Sequence, residues 1–471
     1  MHAALTLMVV GVAAATYETK WFQQSLTHAK GDDRVFPQRF LVNDTFWGKG
    51  SAGLRSDKCP GPILFYSGNE GPITEFWPVN GFMTDRLAPK WGALLVMAEA
   101  RYYGESLPLG NASLEPANLR WLSTELILAD YVALLTALKA SDPRAARCPV
   151  VSFGGSYGGT LTTFLRARYP EVVVGGLAAS APVGYYDAAR WAEFGVDELT
   201  WSKIVAADYE GLEGCGSAVR GAIGAVSRAT TAALVGAFRV CDASALGSDD
   251  DPAELFQYAL ESAPQGEYPP QWPLEAVCAA LVAAEAEPDA EVALISVAGK
   301  FTSNFLGLGA EGCLEALEEG PGGVPGDGPG PDAWGYQSCT QTLHQFSSES
   351  LVRDYVFDLK AQNARCESLF GVVPNTTELS ARYGGYDLPK TATNLIWSNG
   401  LVDPWHGGGF LPEHFPDAHP SNTFCVMPRG SHHTDLRADD QDDPPQVTAC
   451  RDLEERTIRS WIDAYFQTND H

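Results

Sequence analysis

Short apolar runs at Pro62–Tyr66, Ala93–Ala98, Val150–Phe153, Gly176–Ser180, Asn394–Ser398 and Thr423–Met427 constrain this chain more than any other feature. Strands that are apolar throughout are buried on both faces, the situation of a parallel sheet covered by helices. Helical patterns lie between the runs. In Ser123–Lys139, Leu126, Ala129, Tyr131, Val132, Leu135 and Leu138 recur near helical spacing, and Ser123 stands where an N-cap belongs. Alternating β and α segments predict a doubly wound sheet. Ahead of it, Arg39–Trp47 reads as one arm of an antiparallel edge hairpin.

Three motifs follow apolar runs in a fixed order: Gly154-Gly155-Ser156-Tyr157-Gly158, then Asn399-Gly400-Leu401-Val402-Asp403-Pro404-Trp405, then Gly430-Ser431-His432-His433. Serine, acid, histidine is the chain order of an α/β-hydrolase triad. Gly-x-Ser-x-Gly alone is weak, with roughly 0.3 chance matches in a chain of this length. Here the strand-like Val150–Phe153 precedes it and the helix-like Thr160–Tyr169 follows, the strand–elbow–helix context the motif requires. Ser156 is therefore the candidate nucleophile, Asp403 the orienting acid and His432 the base. His433 competes with His432, while His406, His414 and His419 are placed less well. Asp417 and Asp435 are the alternative acids, read as solvated. An oxyanion needs two preorganised donors. The Tyr157 N–H is one, and the other is expected from Ser67-Gly68-Asn69-Glu70-Gly71, with the choice among Gly68 and its neighbours open. No metal-ligand spacing, phosphate loop or dinucleotide fingerprint is present, so neither cofactor nor metal is expected.

At 471 residues the chain exceeds the ~250–300 at which one core stops growing, so a second unit is expected. The alternation stops near Tyr186, and an alanine-rich helical stretch carrying Cys215, Cys241, Cys278, Cys313, Cys339 and Cys366 runs to about Leu388. The expected division is a signal peptide at 1–15, a hydrolase domain at 16–186 and 389–471, and an inserted helical cap at 187–388. Within that insertion Gly320–Asp332 reads as a flexible surface loop. Residues 1–15 combine a short apolar run with an Ala13-x-Ala15 cleavage pattern and are too short to span a bilayer.

Ten cysteines and sequons at Asn43, Asn111 and Asn375 agree with an oxidising, secretory route. A formal charge of −27 repels nucleic acid and anionic membranes, so neither is an expected partner. The charge serves solubility, or relieves its self-repulsion in an acidic compartment where carboxylates are part-protonated.

Gly68–Ile73 (GNEGPI), Ala98–Gly110, Phe153–Leu161, Ser398–Gly409 and Gly430–Arg437 (GSHHTDLR) resemble the serine carboxypeptidase S28 family. So do Tyr17–His28, Arg39–Trp47 and Trp334–Thr340, and the resemblance covers nearly the whole chain after the signal. It implies an α/β-hydrolase fold with an inserted, disulfide-stapled helical cap and a triad of Ser156, Asp403 and His432. The implied activity is cleavage of short peptides next to proline, releasing either a C-terminal residue or an N-terminal dipeptide. Trp405 would wall the proline pocket, and Glu70 and His433 are candidate substrate contacts. Departures fall at Ala100, where the family usually has His, at Thr160 and in the loop Gly320–Asp332, and they bear on which chain end is preferred. A cap carboxylate such as Asp327 or Asp332 would read an amine, though both also fit solvated loop residues. The resemblance implies cap pairs Cys215–Cys278, Cys241–Cys313 and Cys339–Cys366. Cys59 and Cys148 each precede one of two neighbouring strands, which puts them within bridging reach. Cys425–Cys450 remains by elimination. The implied setting is the lysosome, vacuole or extracellular space, with a homodimer left open. A lipase or esterase of the same fold, or a catalytically silent binding protein, are the rival readings.

Overall fold

The computed structural model describes residues 17–469 except 52, 55, 57, 242–251, 309–311, 315–332, 350 and 353. The expected signal segment and the loop Gly320–Asp332, with Asp327 and Asp332, lie outside the described residues.

Ten strands form in chain order: β1 (Glu18–Ser25), β2 (Val35–Asn43), β3 (Ile63–Tyr66), β4 (Leu94–Ala98), β5 (Val150–Gly155), β6 (Gly175–Ala179), β7 (Ser348–Glu349), β8 (Asp354–Tyr355), β9 (Leu395–Gly400) and β10 (Thr423–Met427). Eight of them make one sheet in the order β1-β2-β4-β3-β5-β6-β9-β10, while β7 and β8 pair separately. β2 is antiparallel to both β1 and β4, and every later pair is parallel. β1 holds one sheet edge and β2 pairs with it antiparallel, so Arg39–Asn43 lies in one arm of an antiparallel edge hairpin, as expected.

The period-2 side-chain alternation sorts each central strand into two cores. Ile63, Phe65, Val96, Val150 and Trp397 face one layer with Tyr131 and Leu135 of the helix Thr124–Ser141 and Phe164 of the helix Tyr157–Arg168. Leu64, Tyr66, Met97, Val151, Phe153 and Ile396 face the other, with Phe82, Trp91 and, from the helix Pro445–Asn469, Ile458 and Ile462. Each fully buried Val, Leu or Ile stabilises the fold by roughly 1.5–3 kcal/mol, so a strand apolar on both faces is held from both sides. Ser123 caps the helix Thr124–Ser141 by accepting from Leu126 N.

Between β6 and β9 the chain leaves the sheet and becomes mainly helical, with Thr200–Glu210, Cys215–Arg228, Pro252–Ser262, Pro273–Glu285, Ala290–Phe305 and Leu359–Phe370 its longest helices. Disulfides Cys215–Cys278, Cys241–Cys313 and Cys339–Cys366 cross-link this insertion, Cys59–Cys148 joins the approaches to β3 and β5, and Cys425–Cys450 ties β10 to the last helix. The architecture is an α/β-hydrolase fold carrying a stapled helical cap. Among the described residues no helix is long and apolar enough to cross a membrane.

Candidate active site

β3, β5, β9 and β10 run parallel, so their carboxyl ends open on one side of the sheet, where ligands bind in such folds. Ser156 follows β5 with φ 58° and ψ −127°, a left-handed backbone that a non-glycine residue rarely adopts. The turn is imposed by close packing. A Cβ on Gly154 would lie 2.1 Å from Gly158 O, and one on Gly158 would lie 2.5 Å from Gly68 O. Ser156 N donates to Ala179 O (2.9 Å), locking the elbow to β6. Its hydroxyl makes no hydrogen bond among the described residues.

Asp403 follows β9 and is wholly buried. Its Oδ2 accepts from His432 Nδ1 at 2.7 Å, and its Oδ1 accepts from Trp405 N at 3.1 Å. A proton on Nδ1 leaves His432 Nε2 as the ring's free base. His433 faces elsewhere: its N donates to Ser180 Oγ (2.8 Å), and its Cδ2 would lie 2.8 Å from a Cβ on Gly155. Its imidazole is pushed well below the ordinary range by burial, then by the neighbouring His432 and Arg437. Of the other acids, Asp417 is exposed and pairs with Lys390 (2.8 Å). Asp435 is not solvated as expected. It is fully buried and accepts from Ser398 Oγ at 2.5 Å, because Arg451 folds over this polar loop and holds the Asp435 carbonyl.

The loop after β3 is bolted to the elbow. Ser67 Oγ donates to Gly158 O (2.7 Å) and Asn69 Nδ2 to Gly155 O (2.8 Å), while Tyr66 Oη donates to Asn69 Oδ1 (2.5 Å). With the Asn69 amide so committed, the backbone N–H groups of Gly68 and Asn69 are the loop's candidate oxyanion donors. Gly68 has φ +63°, and a Cβ there would strike Ala98 O at 2.4 Å. The Tyr157 N–H stands in the first turn of its helix, where no intrahelical acceptor exists.

Sequence reasoning found Trp405 but not its surroundings. Its ring lies 4.4 Å from Trp201, 4.8 Å from His344, 6.0 Å from Phe346 and 6.1 Å from Tyr185, and 6.4 Å from His432. Its Nε1 donates to Gln265 Oε1 (2.9 Å). Burial alone pushes His344 down to about 3, so it serves this box as a neutral ring. Also missed was Gln337 of the insertion, whose Nε2 donates to Tyr157 Oη (2.7 Å) and so braces the elbow helix. No pattern along the sequence signals these contacts.

The sequons separate: Asn111 and Asn375 are exposed, whereas Asn43 is 4% exposed with its Oδ1 accepting from Thr45 N.

A strained serine elbow after a parallel strand, with a buried acid bonded to a histidine from the last loop, defines a serine hydrolase of the α/β-hydrolase class. The sequence pattern of serine carboxypeptidase S28 matches residues 24–454. The chain belongs to that family and is a serine-type exopeptidase. It is similar to the lysosomal Pro-X carboxypeptidase of Homo sapiens, 32% identical over 477 residues that cover 97% of this chain and 90% of the relative. It is likewise similar to the putative serine protease pcp-1 of Caenorhabditis elegans (29% identical; 96% of this chain, 84% of the relative). The thymus-specific serine protease of Homo sapiens is 29% identical, with 96% of this chain and 88% of the relative covered.

Proposed function

We propose that this chain is a lysosomal or secreted exopeptidase that cleaves short peptides next to proline, with Ser156 as nucleophile, His432 as base and Asp403 orienting His432. The observation that carries the reading is the Asp403–His432 hydrogen bond beside the strained Ser156 elbow. A serine hydroxyl becomes a nucleophile only when a base takes its proton. His432 Nε2 takes that proton as Oγ attacks the carbonyl, and the Tyr157 N–H with one of Gly68 or Asn69 holds the oxyanion. The C–N bond then breaks, and His432 returns the proton to the leaving amine. Water repeats the sequence on the acyl-enzyme and frees Ser156.

The Trp405 box supports proline: a rigid ring without an N–H suits aromatic walls that ask for no hydrogen bond. The insertion supports action at chain ends, since its Trp201, Gln265, His344 and Phe346 close over Trp405 and narrow the approach. We assign it to residues 187–388, with 16–186 and 389–471 as the hydrolase domain and 1–15 as a signal. The names of the Pro-X carboxypeptidase relatives support both the proline preference and the lysosome.

The test joins a fluorophosphonate probe to a peptide library. Label at Ser156 that vanishes in Ser156→Ala, with cuts near termini and proline at the cleaved bond, is the expected result. Label that persists in the variant overturns the nucleophile; frequent internal cuts or no proline enrichment overturn the substrate reading.

A further inference from the structure

The loop after β3 leaves one polar group unspent. Asn69 and Ser67 tie this loop to Gly155 and Gly158, so Glu70, the next residue, is carried rigidly beside the elbow. Glu70 as a whole is only partly covered, yet its Oε2 is buried and meets no hydrogen-bond partner among the described residues. Leaving a buried polar atom unpaired costs free energy that a ligand can recover. The ionisable groups that face it are Tyr66 at the end of β3, Tyr157 on the elbow helix, Tyr186 after β6 and His432. Only His432 among them carries a positive charge when protonated. Burial raises the Glu70 carboxyl above the ordinary range, and its own backbone N–H, His432 and Asn69 oppose that only in part.

The chemistry of the leaving group says what belongs there. His432 delivers its proton to the leaving amine. When the residue released is C-terminal, its α-carboxylate is two covalent bonds from that nitrogen and so falls beside His432, the ground Glu70 faces. We propose that Glu70 reads the chain end: its carboxyl donates a hydrogen bond to the α-carboxylate of the residue that cleavage releases, which makes the enzyme a carboxypeptidase. This rests on the exopeptidase reading above and deepens it. The opposite end fits less well. An α-ammonium would require Glu70 to ionise, the form burial disfavours, and would bring a second cation up to His432. Because the hydrogen bond needs the Glu70 proton, affinity for a free-acid peptide falls as pH rises through its titration, while affinity for an amidated peptide does not follow it.

Binding without turnover tests this. The Ser156→Ala variant is titrated calorimetrically with acetyl-Ala-Pro-Phe as free acid and as amide, and with the unacetylated free acid, from pH 5 to pH 8. The free acid should bind about ten- to a hundredfold more tightly than the amide at the acid end of this range, and the gap should narrow as pH rises. Adding Glu70→Ala should remove the gap at every pH. Adding Glu70→Gln, which keeps shape and an N–H donor, should preserve a gap that no longer depends on pH. A gap indifferent to both changes, no gap at all, no binding of either form, or acetylation weakening binding in a way Glu70→Gln cancels would each overturn the assignment. Failure of the function itself shows separately, as wild-type enzyme that leaves these peptides uncut while Ser156→Ala still shows the Glu70 pattern.

Discussion

Asp403→Asn isolates the orientation of His432. Asp403 is fully buried and accepts one hydrogen bond on each oxygen, from Trp405 N at 3.1 Å and His432 Nδ1 at 2.7 Å. Asparagine has one acceptor to offer these two donors. With its oxygen on Trp405 N, its NH2 faces His432, so Nδ1 must accept and the ring proton moves to Nε2, where it cannot receive the Ser156 proton. With its oxygen on His432, the tautomer is right but the NH2 opposes the Trp405 N–H. A buried donor left unpaired costs about 1–3 kcal/mol, which makes the productive orientation roughly ten- to a hundredfold the rarer. Losing the carboxylate removes a charge-assisted bond about twice as strong as a neutral one, worth roughly another tenfold or more.

The product is a fall in kcat of about a hundred- to ten-thousandfold. KM should change little, because Asp403 does not reach substrate. The assay is steady-state hydrolysis of a fluorogenic prolyl peptide, paired with the rate of fluorophosphonate labelling, which should fall in step. Near-equal volume should keep the thermal midpoint within a few degrees. Activity within tenfold of wild type would refute the reasoning, since it would mean that His432 keeps its tautomer without Asp403.

His432→Ala should cost orders of magnitude in kcat, as members of such a unit do, whereas His433→Ala should cost about tenfold and mainly raise KM, and steady-state kinetics showing the reverse would mean the base is His433. Asp208, whose Oδ2 is buried with no hydrogen-bond partner among the described residues, is pushed up to about 8, chiefly by burial and then by the charges of Asp403 and Glu267. The folded state therefore keeps a proton that the unfolded chain loses near 3.8, so this contribution is intact below about pH 4 and is lost as pH rises to about 8. Thermal melts should show a midpoint that falls between pH 5 and pH 8 and falls less in Asp208→Asn, a difference of up to about 3–4 kcal/mol; equal slopes would remove Asp208 from the account.

What could be read in advance follows physical lines. The parallel strands were legible because burial on both faces demands apolar residues, and Ile63–Tyr66 and Leu94–Ala98 supply them without interruption. β1 was not, because Glu18–Ser25 stays largely exposed along the edge and carries Glu18 and Lys20, charges that keep an edge from pairing with other chains. Ser156, Asp403 and His432 could be picked out together because each stands in a loop at the carboxyl end of a strand, where local pattern and topology coincide. Asp435 was misread for the opposite reason. Its neighbours are polar, and only the return of Arg451 from the last helix, a tertiary event, buries it. The same limit hid the contacts around Trp405 and Tyr157. Gln337 meets Tyr157 across 180 residues and Gln265 meets Trp405 across 140. Such pairs exist because packing holds the cap, stapled internally by its own disulfides, against the sheet, and no periodicity along the chain encodes them. Residues at strand ends are thus announced by the strands that carry them, while contacts between the cap and the sheet arise only on folding. Glu70 likewise could be placed in the loop after β3 from the sequence, while the burial of its Oε2 without a hydrogen-bond partner among the described residues could not.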